Sequence, residues 1–144
     1  MAASLIIDIY YYEENFYLPT VVRSLSGMVS VTDPIAIVPA DDRAALTEEI
    51  ELRAIAGNAT LTNADFRVTS DNKVVDAMRL PNRISFFTRA KRWTIVEEDG
   101  VYTLFPYKPA PMRGVVRDVE HAMTLNPATF AKEAIEHMDT MRAK

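Results

Sequence analysis

The sequence predicts an α+β fold: one domain with a mostly antiparallel sheet covered by helices. Three observations carry that expectation. Strand-like and helix-like runs are intermixed without strict alternation. A short Glu98-Asp99-Gly100 link joins two β-rich runs, 92–97 and 101–107, and such a link is a strong hairpin signal. The chain has 144 residues, 49% hydrophobic and 25% charged, as one ordinary globular domain would. No repeat, low-complexity stretch or long linker divides it. The first half also accommodates a β-α-β unit, which would make the sheet partly parallel.

The elements follow in order. Residues 5–12 (LIIDIYYY) are β-branched and aromatic and read as a strand. Leu5, Ile7, Ile9 and Tyr11 share one face; Ile6, Asp8, Tyr10 and Tyr12 share the other, more polar one. Residues 19–26 read as a short helix with Pro19 in its first turn and Gly27 as its stop, with a strand continuing from Phe16 as the rival. Residues 28–38 look extended, interrupted by Pro34. Pro39-Ala40-Asp41-Asp42 starts a helix, either aspartate serving as N-cap, that runs to about Ala56 and stops at Gly57.

Residues 58–69 offer a cap or turn at 60–63 and a brief strand at 66–68. Ser70 or Asp71 caps a helix to Leu80, with Val74, Val75 and Met78 on its buried side. Pro81-Asn82 ends it. Residues 84–88 (ISFFT) read as a strand ahead of the hairpin, and 108–114 as a loop. Residues 115–125 read as a helix. Asn126-Pro127 then caps and opens a last helix whose apolar stripe is Phe130, Ala134, Ile135, Met138 and Met141.

Composition narrows the function. There is no cysteine, which excludes disulfides, thiolate metal sites and cysteine nucleophiles. With four glycines there is no glycine-rich phosphate cradle, and no GxSxG elbow occurs. The two histidines, His121 and His137, stand in no zinc spacing; Glu133 and His137 share a helix face but make only two ligands. No catalytic constellation, metal site or cofactor is expected. The N-terminus lacks a basic segment and Asp8 interrupts its apolar run, so a cytoplasmic location without membrane association is expected.

The net charge of −4 is uneven. Through Asn72 there are eleven acids and four bases; from Lys73 onward, nine acids and twelve bases. That asymmetry marks either a polar partner surface or two halves that neutralise each other. The acidic candidates are Glu13 and Glu14 beside Tyr10 and Tyr12, and Asp41, Asp42, Glu48, Glu49 and Glu51 around the first long helix. Tyrosine suits interfaces because it joins a large apolar face to a polar tip. The alternative for the tyrosines is a packed sheet edge. Asp8 is expected to face solvent, because a buried carboxylate is costly unless paired.

In its small size, its acidic 10–16 region and 41–51 helix, and its lack of a catalytic motif, the chain resembles the immunity proteins of bacterial contact-dependent growth inhibition systems. The resemblance is one of general character and implies a cytosolic protein that binds a cognate toxin domain, often a basic nuclease, and blocks it. Two alternatives stand beside it. One is a small enzyme built around Asp8, His121 or Arg113. The other is a nucleic-acid-associated module using the basic stretch Arg79, Arg83, Arg89, Lys91 and Arg92, interleaved with Phe86 and Phe87. The overall acidity and the lack of an RNP or KH motif weigh against nucleic acid.

Overall fold

The structure is a computed structural model describing residues 4–110 and 114–142. Its centre is β1 (Leu5–Tyr12), flanked by β2 (Asn15–Arg23) and β4 (Lys91–Glu98). The sheet runs β3 (Val29–Pro39), β2, β1, β4, β5 (Val101–Ala110), β6 (Gly114–Arg117), with β7 (Met123–Leu125) also pairing β5. Among the described residues every pairing between these strands is antiparallel, with one isolated parallel bridge from Arg23 to Thr60, so the β-α-β alternative is not realised.

The alternation within β1 places two cores on opposite faces. Leu5, Ile7 and Ile9 pack with Phe16, Trp93 and Ile95 beneath α1 (Arg43–Ala56) and α5 (Phe130–Arg142), which supply Leu46, Ile50, Ala134, Ile135 and Met138. On the other face, Ile6 and Tyr10 join Tyr17, Val21 and Val31. That core lies beneath α3 (Asn72–Ala77) and α4 (Arg83–Arg89), through Val74, Val75 and Phe86. Burying a strand on both faces explains why it is so continuously apolar.

α1 has the expected bounds. Asp42 accepts from the Ala45 N–H at 3.1 Å, and the Gly57 N–H returns to the Arg53 carbonyl. Residues 19–26 form no helix: β2 continues through Pro19, which sits where the register with β3 slips between Leu18 and Thr20. Residues 66–68 are not a strand. Thr62 caps the short helix α2 (Asn63–Arg67), its hydroxyl accepting from the Asp65 N–H.

Residues 84–88 are helical, contrary to expectation. α3 stops at Ala77, short of the expected Leu80, and Asn82 opens the next helix instead: its side chain accepts from the Ser85 N–H at 2.9 Å and starts α4. Residues 115–125 form no α-helix. The ten-residue β5 needs partners along its length; β6 pairs with its second half and β7 with its first, and a 3₁₀ turn (Val119–His121) lies between them. The last helix opens four residues later than Asn126, which instead begins a turn.

Among the described residues, no helix is long and apolar enough to cross a membrane.

Candidate functional site

The strand register builds a buried polar network. Asp8 pairs with Thr94 and Tyr10 with Arg92 across β1 and β4, which sets all four side chains on the α3/α4 face. Asp8 is therefore not the solvent-facing residue that its strand suggested: it is 2% exposed, because α3 and α4 cover this face too. It is paired as burial demands. Arg92 Nη2 stands 3.0 Å from Asp8 Oδ2, and the Thr94 hydroxyl donates to Asp8 Oδ1 at 2.6 Å. Thr94 has one proton, so it accepts from the Tyr107 hydroxyl, 3.0 Å away.

The Arg92 guanidinium also lies 4.1 Å from the Tyr107 ring centroid and 5.2 Å from that of Tyr10. Burial works against its charge, but the Asp8 carboxylate and the two tyrosines outweigh burial and raise its pKa. Burial, reinforced by Asp8, pushes the Tyr10 hydroxyl well above its ordinary pKa. Arg92 Nε is buried without a hydrogen-bond partner.

A cleft of about 310 Å³ opens beside Arg92. Phe86 and Phe87 from α4, Tyr107 from β5 and Val115 from β6 wall it, and Lys91, Arg92 and Lys108 line it without any carboxylate. Gly114 makes the tight approach possible. A Cβ there would stand 2.8 Å from the Phe87 ring, and its φ of +78° also favours glycine. Lys91 Nζ is held by the Arg142 carbonyl at 2.8 Å. A second cleft of about 300 Å³, lined by Asp8, Ser30, Ser70, Asp71 and Arg83 among others, lies on the far side of Arg92.

The basic stretch is thus divided rather than presented as one stripe. Arg92 points inward, Lys91 caps α5, and Arg83 pairs with Asp71 at 2.7 Å while stacking on Phe87. Arg79 and Arg89 are exposed.

The acidic candidates form a rim at one end of the sheet. The Ala40 N–H donates to the Glu14 carbonyl at 2.8 Å, which brings the turn carrying Glu13 and Glu14 against the link carrying Asp41 and Asp42. Glu48 and Glu51 are exposed on α1. Glu49 is turned aside: it pairs with Arg53 at 3.3 Å, and Arg53 in turn donates to the Leu18 carbonyl. One tyrosine leaves the candidate surface and another is only partly available to it. Tyr10 is 2% exposed and belongs to the core, and Tyr12 is half-buried against the same core. The packed-sheet alternative describes Tyr10, because both faces of β1 are covered.

The charge asymmetry is partly internal. Asp8–Arg92, Asp33–Lys73, Asp71–Arg83 and Arg43–Asp139 all join an early residue to a late one.

Of the residues of the enzyme alternative, Asp8 and His121 are engaged with separate partners. Asp8 is held by Arg92 and Thr94, whereas His121 is exposed and its Nδ1 lies 2.7 Å from Asp118. Arg113 lies outside the described residues. Burial pushes the Asp118 carboxyl up, but His121 and Lys108 outweigh it and hold its pKa below the ordinary value. Glu133 is spent on its own helix end, accepting from the Thr129 hydroxyl and the Asn126 N–H. Among the described residues, no three His, Cys, Asp or Glu side chains gather into a metal-binding group.

No family model matches the sequence. No curated protein matches it either. The fold does have a counterpart among solved structures. A protein of unknown function from Neisseria meningitidis superposes with a TM-score of 0.68 at 16% sequence identity, covering 92% of this chain and 89% of that one. At that identity the likeness establishes the shared α+β fold and nothing about activity.

Proposed function

We propose that this chain is a binding protein of the immunity type, which neutralises a cognate toxin domain by docking its acidic rim on a basic surface. One observation carries the reading: the outward side of α1 mixes exposed acids with exposed large apolar side chains. Glu48, Leu52 and Ile55 follow at i, i+4 and i+7 and so share a face, with Glu51 beside them. Leu52 is 50% and Ile55 83% exposed. Apolar anchors among charges of one sign suit a protein interface better than a merely solvated helix. Glu13, Glu14, Asp41 and Asp42 extend the same charge to the end of the sheet, and among the described residues none of the four forms an ion pair. Unneutralised acids would steer a basic partner and speed its association, while the apolar pair would slow its release.

The test is co-expression with the product of the gene immediately upstream. The expected result is a complex that copurifies and rescue of a host that the neighbour alone kills. Glu48→Lys with Glu51→Lys should slow association about tenfold at low salt, whereas Glu120→Lys, on the 3₁₀ turn, should not. The absence of both complex and rescue would overturn the reading.

A further inference from the structure

Independently of the acidic rim, we propose that the cleft beside Arg92 binds a small organic anion: a flat ring carrying one phosphate or carboxylate group. Charge and shape both lead there. The protein carries a net charge of −4, yet three cations and no carboxylate line this cleft; Arg92 is paired behind it with Asp8 and Lys108 stands 4.0 Å from Asp118, which leaves Lys91 without a counter-ion among the described residues. Its walls are flat and apolar, formed by Phe86, Phe87 and Tyr107. An aromatic-walled cleft with a few convergent charges favours a ring for stacking and an anion for orientation.

Volume sets the size of the occupant. At about 310 Å³ the cleft lies at the small end of ligand pockets and accommodates a single ring system with its acidic group. Arg92 is already oriented for this role, because Asp8 holds one side of the guanidinium and the Tyr107 ring supports its face. The exposed part of Arg92, 27% of its side chain, is what a ligand in the cleft can reach. Lys91 is fixed by a carbonyl rather than by a carboxylate, so its charge remains available to a ligand.

Calorimetric titration of the full chain with adenosine monophosphate, uridine monophosphate and benzoate tests the proposal, with adenosine and benzamide as uncharged counterparts. At least one anion should bind saturably, with its uncharged counterpart roughly tenfold weaker or worse. Binding of the nucleotides alone identifies a phosphate ligand; binding of benzoate alone identifies a carboxylate. Val115→Phe should fill the cleft and abolish binding. Lys108→Gln, at an exposed position that leaves the core untouched, should weaken it several-fold, and melting curves check that both variants fold. The proposal is overturned if no anion binds below about 10 mM, if the uncharged counterparts bind equally well, or if both folded variants bind like the parent.

Discussion

Replacing Asp8 with alanine should destabilise the protein by about 3 kcal/mol, and the figure follows from the network around it. The substitution removes a charge-assisted hydrogen bond from Thr94 and strips Arg92 of its counter-ion. Breaking a buried ion pair on one side costs roughly 3–5 kcal/mol. The Arg92 side chain is 27% exposed, so water partly compensates it and the low end of that range applies. For a chain of this length, about 3 kcal/mol lowers the melting temperature by roughly 10 °C. Urea titration gives the free energy and calorimetry the temperature. The double variant Asp8→Leu with Arg92→Met removes both charges and should recover most of the loss, since an apolar pair of similar volume tolerates burial. A single variant within about 1 kcal/mol of the parent would refute the reasoning, because a loss that small matches an exposed pair. So would a double variant no more stable than the single one.

Two further outcomes follow from local geometry. Gly114→Ala and Gly100→Ala both force alanine into positive φ, but only the first drives a Cβ into the Phe87 ring. Urea midpoints should therefore show Gly100→Ala losing about 1–2 kcal/mol and Gly114→Ala roughly 1–3 kcal/mol more; equal losses would mean that Phe87 simply moves. Glu133 titrates below its ordinary 4.5 because of the Thr129 hydroxyl and the Asn126 N–H. A depressed folded pKa means a contribution fully present above 4.5 and lost as pH falls through the lower, folded value. The stability advantage of the parent over Glu133→Gln should hold at neutral pH and shrink below 4.5, as followed by urea midpoints; a gap independent of pH would contradict this.

The α+β class, the face assignments of β1, the extent of α1, the hairpin of runs 92–97 and 101–107 and the apolar stripe of α5 could all be read from the sequence alone. Each rests on a signal written in neighbouring residues: alternation, an aspartate cap with a glycine stop, an Asp-Gly turn, a helical repeat. Where local signals conflicted, tertiary structure decided. Residues 84–88 have the composition of a strand but become a helix, since Asn82 caps them and Phe86 packs against Tyr10. The cap was there to be read; the aromatic packing was not. Val115 and Val116 pair with β5, a partner that no helical or strand pattern at 115–125 could name.

The candidate surfaces divide in the same way. Exposed acids on α1 were legible because a helix with a buried stripe must turn its charges outward. The burial of Tyr10 and Asp8 was not, since it depends on α3 and α4 covering the second face of the sheet from more than sixty positions away. The cleft was legible only in part: the basic, aromatic stretch holding Phe86, Phe87, Lys91 and Arg92 could be read, but not its meeting with Tyr107, Lys108 and Val115. It draws residues from four strands and two helices, and strand register and helix packing, rather than spacing along the chain, bring Lys91, Arg92 and Lys108 together against an aromatic wall.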